Sequence, residues 1–193
     1  MIILGVDPGS RLLGYGCIEK TGNQYRVITH GTVQLYHKEY KNVPVDETTP
    51  SRLKEIHEKL SEIIRTYRPH IMAVEKVFFA KNAVSALKLG QARGVVLLTG
   101  ALHDLEIHEY SATEVKGMVT GYGRADKDQV AKTLQLILGQ QEFQTQDSSD
   151  ALAIALAHGL AMRGAAAKVP EVKAGKARKS RSLKSLAESI KSR

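Results

Sequence analysis

A single cysteine, Cys17, stands among the 193 residues, and tryptophan is absent altogether. One thiol has no partner for an intramolecular disulfide, so packing must hold the fold and a reducing compartment is expected. Set in the run Gly14-Tyr15-Gly16-Cys17-Ile18, this cysteine reads as a small buried hydrophobe in a strand. No uninterrupted apolar run approaches the roughly 18 residues that a membrane span requires. Met1 to Val6 shows neither a basic leader nor a small-residue cleavage site, so a soluble, cytoplasmic protein with no membrane partner is expected. A strong charge of either sign is also lacking in most of the chain. The formal net charge is +8, but nine Lys/Arg against two Glu between residues 164 and 193 account for +7, leaving +1 for residues 1–163. Bulk charge therefore says little about the folded body, where only basic residues close to its chemistry count.

The apolar fraction of 42% is that of a globular protein, which makes residues 1–163 one expected domain. The tail, residues 164–193, is rich in Ala, Lys, Arg, Ser and Gly and reads as a flexible basic extension. Leu183, Leu186 and Ile190 share a helical face there, leaving open a short helix formed on a partner or on DNA.

Within the body, Ile-Ile-Leu-Gly-Val is a buried strand that stops at Asp7-Pro8-Gly9, and Leu12–Glu19 and Tyr25–Tyr36 complete an antiparallel meander. Residues 37–50, polar with two prolines, read as a loop. From Ser51, a plausible N-cap, apolar residues at Leu53, Ile56, Leu60, Ile63, Ile64 and Tyr67 recur at helical spacing until Pro69. Ile71–Glu75 is a short strand, Asn82–His103 a helix, Glu106–Tyr110 a strand, and Thr113–Val119 and Asp126–Leu138 two helices around Gly121-Tyr122-Gly123. A last helix runs from Asp147 to Arg163. A meander followed by alternating helix and strand predicts an α/β domain with a mixed five-stranded sheet flanked by helices.

Two strands end in carboxylates, Asp7 and Glu75, where α/β sheets place their ligands. Asp147 and Asp150, three apart, share a face in the first turn of a helix whose run Ala151-Leu152-Ala153-Ile154-Ala155-Leu156 marks it as buried. Four carboxylates in one place repel one another unless cations neutralise them, so their gathering implies a metal. Such a cluster suits phosphodiester hydrolysis, in which two divalent ions about 3.5–4 Å apart activate water and clamp the attacking and leaving oxygens. Taken singly, each residue has another reading. Asp before Pro-Gly is often a turn residue, and Asp147 is a good N-cap with Asp150 favourable near the positive end of the helix dipole. Glu75, closing an apolar strand and followed by Val77, Phe78 and Phe79, is harder to dismiss. His158 shares a helical face with Asp147 and Asp150 but lies about 12 Å beyond Asp150 along the axis, too far for a metal-ligand role.

The segments Gly5-Val-Asp-Pro-Gly-Ser-Arg, Val74-Glu-Lys-Val-Phe-Phe-Ala-Lys-Asn, Ser85-Ala-Leu-Lys-Leu-Gly-Gln-Ala-Arg-Gly and Asp147-Ser-Ser-Asp-Ala-Leu-Ala-Ile-Ala strongly resemble the bacterial RuvC Holliday-junction resolvases, in order over residues 1–163. The resemblance implies a ribonuclease-H-like fold and a symmetric homodimer that makes paired nicks in a four-way DNA junction during recombination and repair. It also implies two Mg²⁺ per active site with Mn²⁺ as a substitute, and partnership with the RuvA–RuvB branch-migration complex. By the same resemblance Asp7, Glu75, Asp147 and Asp150 are metal ligands, although some members carry His at the position of Asp147. Phe78 matches the aromatic residue set against unstacked bases, and aromatic stacking serves every base alike. The other reading, a core or dimer-interface residue, suits Phe79 better. Lys116 and Lys127 match positions tied to catalysis or DNA contact. Arg124, Lys76 and Lys81 are further DNA-binding candidates, and Lys88 and Arg93 lie in the same motifs. Two other readings compete: an actin-like or sugar-kinase-type phosphate-binding protein, from the Asp-x-Gly-Ser turn, and a catalytically silent junction-binding module. The first needs a second related domain and a second phosphate loop, and the sequence has neither.

Overall fold

The computed structural model describes residues 1–9, 11–35, 45–76, 83–139 and 145–165. Five strands form one sheet: β1 (Ile2–Pro8), β2 (Leu12–Thr21), β3 (Gln24–Gln34), β4 (Ile71–Glu75) and β5 (Glu106–Tyr110). Their order is β3-β2-β1-β4-β5, antiparallel across the meander and parallel from β1 to β4 and from β4 to β5. This is the expected mixed sheet, with β1 and β4 adjacent. Helices cover both faces. On one lie α1 (Val45–Tyr67) and α2 (Ala83–Leu102), which bury Leu4, Val6, Met72 and Val74. On the other lie α3 (Ala112–Thr120), α4 (Lys127–Leu138) and α5 (Gln146–Ala165), which cover Ile3, Ile71 and Ala73. Alternate residues of β1 and β4 thus serve different cores, as a period of two requires.

The start of α1 departs from expectation. Residues 45–50 were expected in a loop with Ser51 as N-cap, whereas the helix begins at Val45 and carries Pro50 inside it. The apolar pattern starts only at Leu53 because the preceding turns bury polar residues, Thr48 and Arg52. Pro50 is compatible with this because its fixed φ is helical, although it forfeits one backbone donor. The remaining elements end within two residues of their expected bounds, and α5 runs two residues past Arg163.

What positions the site is the seating of α5. A Cβ built on Gly5 would lie 2.0 Å from the Ala151 carbonyl oxygen and 2.7 Å from the Ala155 nitrogen. One on Gly14 would lie 2.2 Å from the Asp147 carbonyl oxygen, and one on Gly16 would strike Leu152 at 2.8 Å. Three glycines in two adjacent strands therefore make a trough, and the alanine-rich face of α5 lies in it backbone against backbone. At the far end, the Tyr25 hydroxyl donates to the Gly159 carbonyl at 2.8 Å. Gly14→Ala is expected to destabilise the fold by about 1–3 kcal/mol, the usual cost of overpacking. Gly117→Ala, where a Cβ meets nothing nearer than 3.7 Å, is expected to stabilise helix α3 by about 0.5–1 kcal/mol. Urea denaturation of the two variants checks both signs.

Candidate active site

Val6 and Val74 are the last paired residues of β1 and β4, so Asp7 and Glu75 stand side by side one step beyond. Both point to the α5 face, by alternation from Gly5 and Ala73. Across the β1–β2 ladder Asp7 pairs with Gly14, the glycine over which Asp147 sits. The trough thus delivers the first turn of α5 onto Asp7. The reading of Asp147 as an N-cap is overturned: α5 begins at Gln146, and the Thr145 hydroxyl accepts the Ser148 amide at 3.3 Å. Thr145 in turn is hydrogen-bonded to Thr32 of β3, which ties the start of α5 to the sheet. The reading of Asp7 as a turn residue also fails, since Asp7 belongs to the β1 ladder.

The carboxylates feel one another. Burial pushes the Asp7 carboxyl up to about 7, and the charges of Glu75, Asp150 and Asp147 add to the rise. Glu75 is raised by burial and by Asp150, while its hydrogen bond with Asp7 and the Lys127 ammonium pull the other way. Asp150 is raised by burial and by Asp147, against Lys127 and Lys116. Among the described residues, no three Asp, Glu, His or Cys side chains close around a single point. Asp7, Glu75, Asp147 and Asp150 nonetheless offer only hard oxygen donors. Such a set fits a divalent ion of the Mg²⁺ type, which keeps several waters, and the repulsion that raises Asp7 is what a cation relieves.

Beside the carboxylates opens a cavity of about 330 Å³, lined by Glu75, Asp150, Lys116 and Lys127 with Val115, Val130 and Ile154 as its apolar wall. Each lysine is mounted by a capped helix. Ser111 caps α3 in a reciprocal box with Glu114, and Asp126 caps α4 with Gln129. The Ser-x-x-Glu signature at residues 111–114 encodes the first box in the sequence itself. Lys76 stands 3.9 Å from Glu114, so a protein carboxylate already faces it. Arg124 is exposed on the turn between α3 and α4. Phe78 and Lys81 lie outside the described residues. Arg93 pairs with Glu109 of β5 and fixes α2 to the sheet. His158 is buried, accepts from or donates to the Tyr110 hydroxyl at 2.7 Å, and stacks on His108 at 4.3 Å. Its surroundings are those of a core histidine.

Comparison with known proteins decides the family. The family model for the crossover junction endodeoxyribonuclease RuvC matches residues 3–158. The chain belongs to that family. The RuvC of Halothermothrix orenii is 46% identical over 84% of this chain and 94% of its own length. That of Citrifermentans bemidjiense is 48% identical over 82% and 92%. The structure of Thermus thermophilus RuvC in complex with Holliday junction substrate superposes with a TM-score of 0.75 at 32% identity, covering 86% of this chain and 96% of the other. Yeast mitochondrial Holliday junction resolvase Ydc2 shares the fold at TM-score 0.60 and 15% identity. This RuvC-family chain is thus a crossover junction endodeoxyribonuclease with the expected ribonuclease-H-like architecture, from a family of metal-dependent nucleases. The phosphate-binding alternative drawn from the Asp-x-Gly-Ser turn gives way to it.

A stability test isolates the cost of the cluster. The raised folded-state pKa of Asp7 means that its charged form burdens the fold, with no burden below about pH 4 and the full burden above about pH 7. In excess chelator, Asp7→Asn is expected to melt at the wild-type temperature at pH 4 and several degrees above it at pH 8. Melting temperatures across that range check the sign, and a variant less stable than wild type at pH 8 contradicts it.

Proposed function

We propose that residues 1–163 form the nuclease unit and that Asp7, Glu75, Asp147 and Asp150 hold two divalent ions, Mg²⁺ with Mn²⁺ as a substitute. The observation that carries this reading is the meeting of four half-buried carboxylates from three elements beside two lysines. Bound ions of this kind supply a nucleophilic water at neutral pH and charge stabilisation for the leaving oxygen. The chain's own groups do the rest. The sheet edge holds Asp7 and Glu75 rigidly, α5 presents Asp147 and Asp150 from above, and Lys116 and Lys127 draw the phosphate into the cavity. Water attacks the phosphorus in line and leaves a 5′-phosphate and a 3′-hydroxyl. The Holliday junction substrate of the Thermus thermophilus RuvC complex supports four-way-junction DNA as the substrate. Phe78, Lys81, Lys76 and Arg124 are further contacts to the strands, and the RuvA–RuvB complex is the proposed protein partner.

Two opposed nicks need two active sites, so the working form is a homodimer. The surface that suits it is α2, which exposes Val84, Leu87, Leu98 and Leu102, each at least 56% accessible. Their positions along a 20-residue helix make an apolar stripe of the kind that marks an interface. Leu98→Glu is expected to sediment as a monomer at a concentration where wild type sediments as a dimer. An unchanged mass would move the interface elsewhere.

The catalytic reading is tested on a synthetic four-way junction. Wild type is expected to cut it and to stop in excess chelator, whereas Asp7→Asn and Glu75→Gln bind without cutting. A chain lacking residues 164–193 is expected to cut at saturating protein and to lose affinity mainly at low salt, because its lysines and arginines act through phosphate charge. Cutting at the wild-type rate by either carboxylate variant would falsify the assignment, and wild type that binds the junction without cutting it would be a silent junction-binding module.

A further inference from the structure

The turn between α3 and α4 carries an exposed aromatic residue that the proposed catalysis does not use. Tyr122 is 57% accessible, between Gly121 and Gly123. An exposed tyrosine needs no ligand by itself, since apolar atoms cover more than half of an ordinary protein surface. Three observations set this one apart.

Its mount is fixed. Gly121 takes a left-handed conformation, φ 78°, that closes α3 with a hydrogen bond from its amide to the Gly117 carbonyl. The Tyr122 amide donates to the Thr120 hydroxyl at 3.1 Å, and the Tyr122 carbonyl accepts the Ala125 amide at 3.0 Å. Both backbone groups of the residue are thus held, and an aromatic ring on a fixed base gives up little freedom on binding.

Its surroundings hold more bases than acids: Lys116, Arg124, Lys127 and Lys132 lie on this turn or on the two helices it joins, against Glu114, Asp126 and Asp128. Asp126, the acid nearest in sequence, is committed to the α4 cap, accepting the Gln129 amide at 2.8 Å. A second open cavity of about 310 Å³ is lined by Tyr122, Thr120, Gln129, Lys132 and Thr133. In that lining Lys132 suits a phosphate and the Tyr122 ring a base beside it.

A helix runs from the carboxylate cavity to its mount. Lys116, in the wall of the carboxylate cavity, is five residues before Gly121, about 7.5 Å along α3 at the helical rise. That is roughly two steps of a nucleic-acid strand at about 3.4 Å each. We propose that Tyr122 stacks on the base of the nucleotide about two positions from the cut phosphate, while Lys132 and Arg124 hold the phosphates beside it. This inference rests on the reading of the chain as a junction nuclease and adds a recognition element outside the carboxylate site.

The test uses full-length protein and a labelled four-way junction, with binding measured in chelator so that nothing is cut. Tyr122→Ala is expected to weaken binding about five- to hundredfold, the range for loss of one base–aromatic stack, with no change in the salt dependence. Tyr122→Phe is expected to bind as wild type. Lys132→Ala is expected to lower the salt slope by about one, as loss of a phosphate contact does. Because the chain has no tryptophan, Tyr122→Trp places its only indole at the proposed contact, and junction binding is expected to quench its fluorescence. An abasic residue two positions from the cut, on one side or the other, is expected to erase the difference between wild type and Tyr122→Ala. Equal binding by Tyr122→Ala together with an unquenched tryptophan overturns the proposal. So does a difference that survives abasic residues on both sides. If Tyr122→Ala melts early, the phenylalanine and tryptophan variants carry the test alone. Failure of wild type to bind the junction at all would instead defeat the underlying nuclease reading.

Discussion

The contact on which the rest of this structure depends is the backbone approach of α5 to β1 and β2. Gly5, Gly14 and Gly16 leave no side chain between helix and sheet, and a methyl group at any of them would meet α5 atoms at 2.0–2.8 Å. Glycine in a strand costs stability through chain entropy and lost packing. Here the cost is offset by the burial of Ala151, Leu152, Ala155 and Leu156, all fully enclosed. The same approach decides the chemistry. Asp147 and Asp150 reach Asp7 only because the first turn of α5 is allowed down onto Gly14.

A second constraint opposes the first. Seating α5 so closely brings half-buried carboxylates together, and burial with neighbouring charge pushes Asp7 up to about 7 and raises Glu75 as well. Lys127 and Lys116 offset part of this without closing on the acids as tight ion pairs. A cluster held in that condition has affinity in reserve for a divalent cation, since the ion removes a cost that the fold already bears. The rigidity of the surroundings is what maintains it. Each participating element is capped, paired or buried, from the Thr145–Ser148 start of α5 to the two capping boxes that mount the lysines.

Much of this architecture was legible from local pattern. The strand ending at Asp7, the strand ending at Glu75 and the buried helix opening with Asp147 and Asp150 all follow from hydrophobic periodicity. The start of α1 did not follow, because Thr48 and Arg52 are polar residues buried against tertiary neighbours and periodicity counts only apolar ones. The glycine trough was visible as letters, a Gly-x-Gly in one strand and an alanine-rich helix far along the chain. Its meaning depends on those two segments meeting.

By itself, then, the sequence determined the identity of the four carboxylates, the elements that carry them and, through motifs in register, the family. Local forces act within a few residues, and these features need nothing longer. Tertiary structure alone decided that β1 lies beside β4, that Asp147 sits over the residue paired with Asp7, and that Thr145 rather than Asp147 caps α5. It also decided which lysines lie nearest the carboxylates, since Lys116 and Lys127 line their cavity while Lys76 faces Glu114. Those facts turn on contacts as distant in sequence as Gly14 and Asp147, 133 positions apart, and close packing, which no local pattern encodes, selects among them.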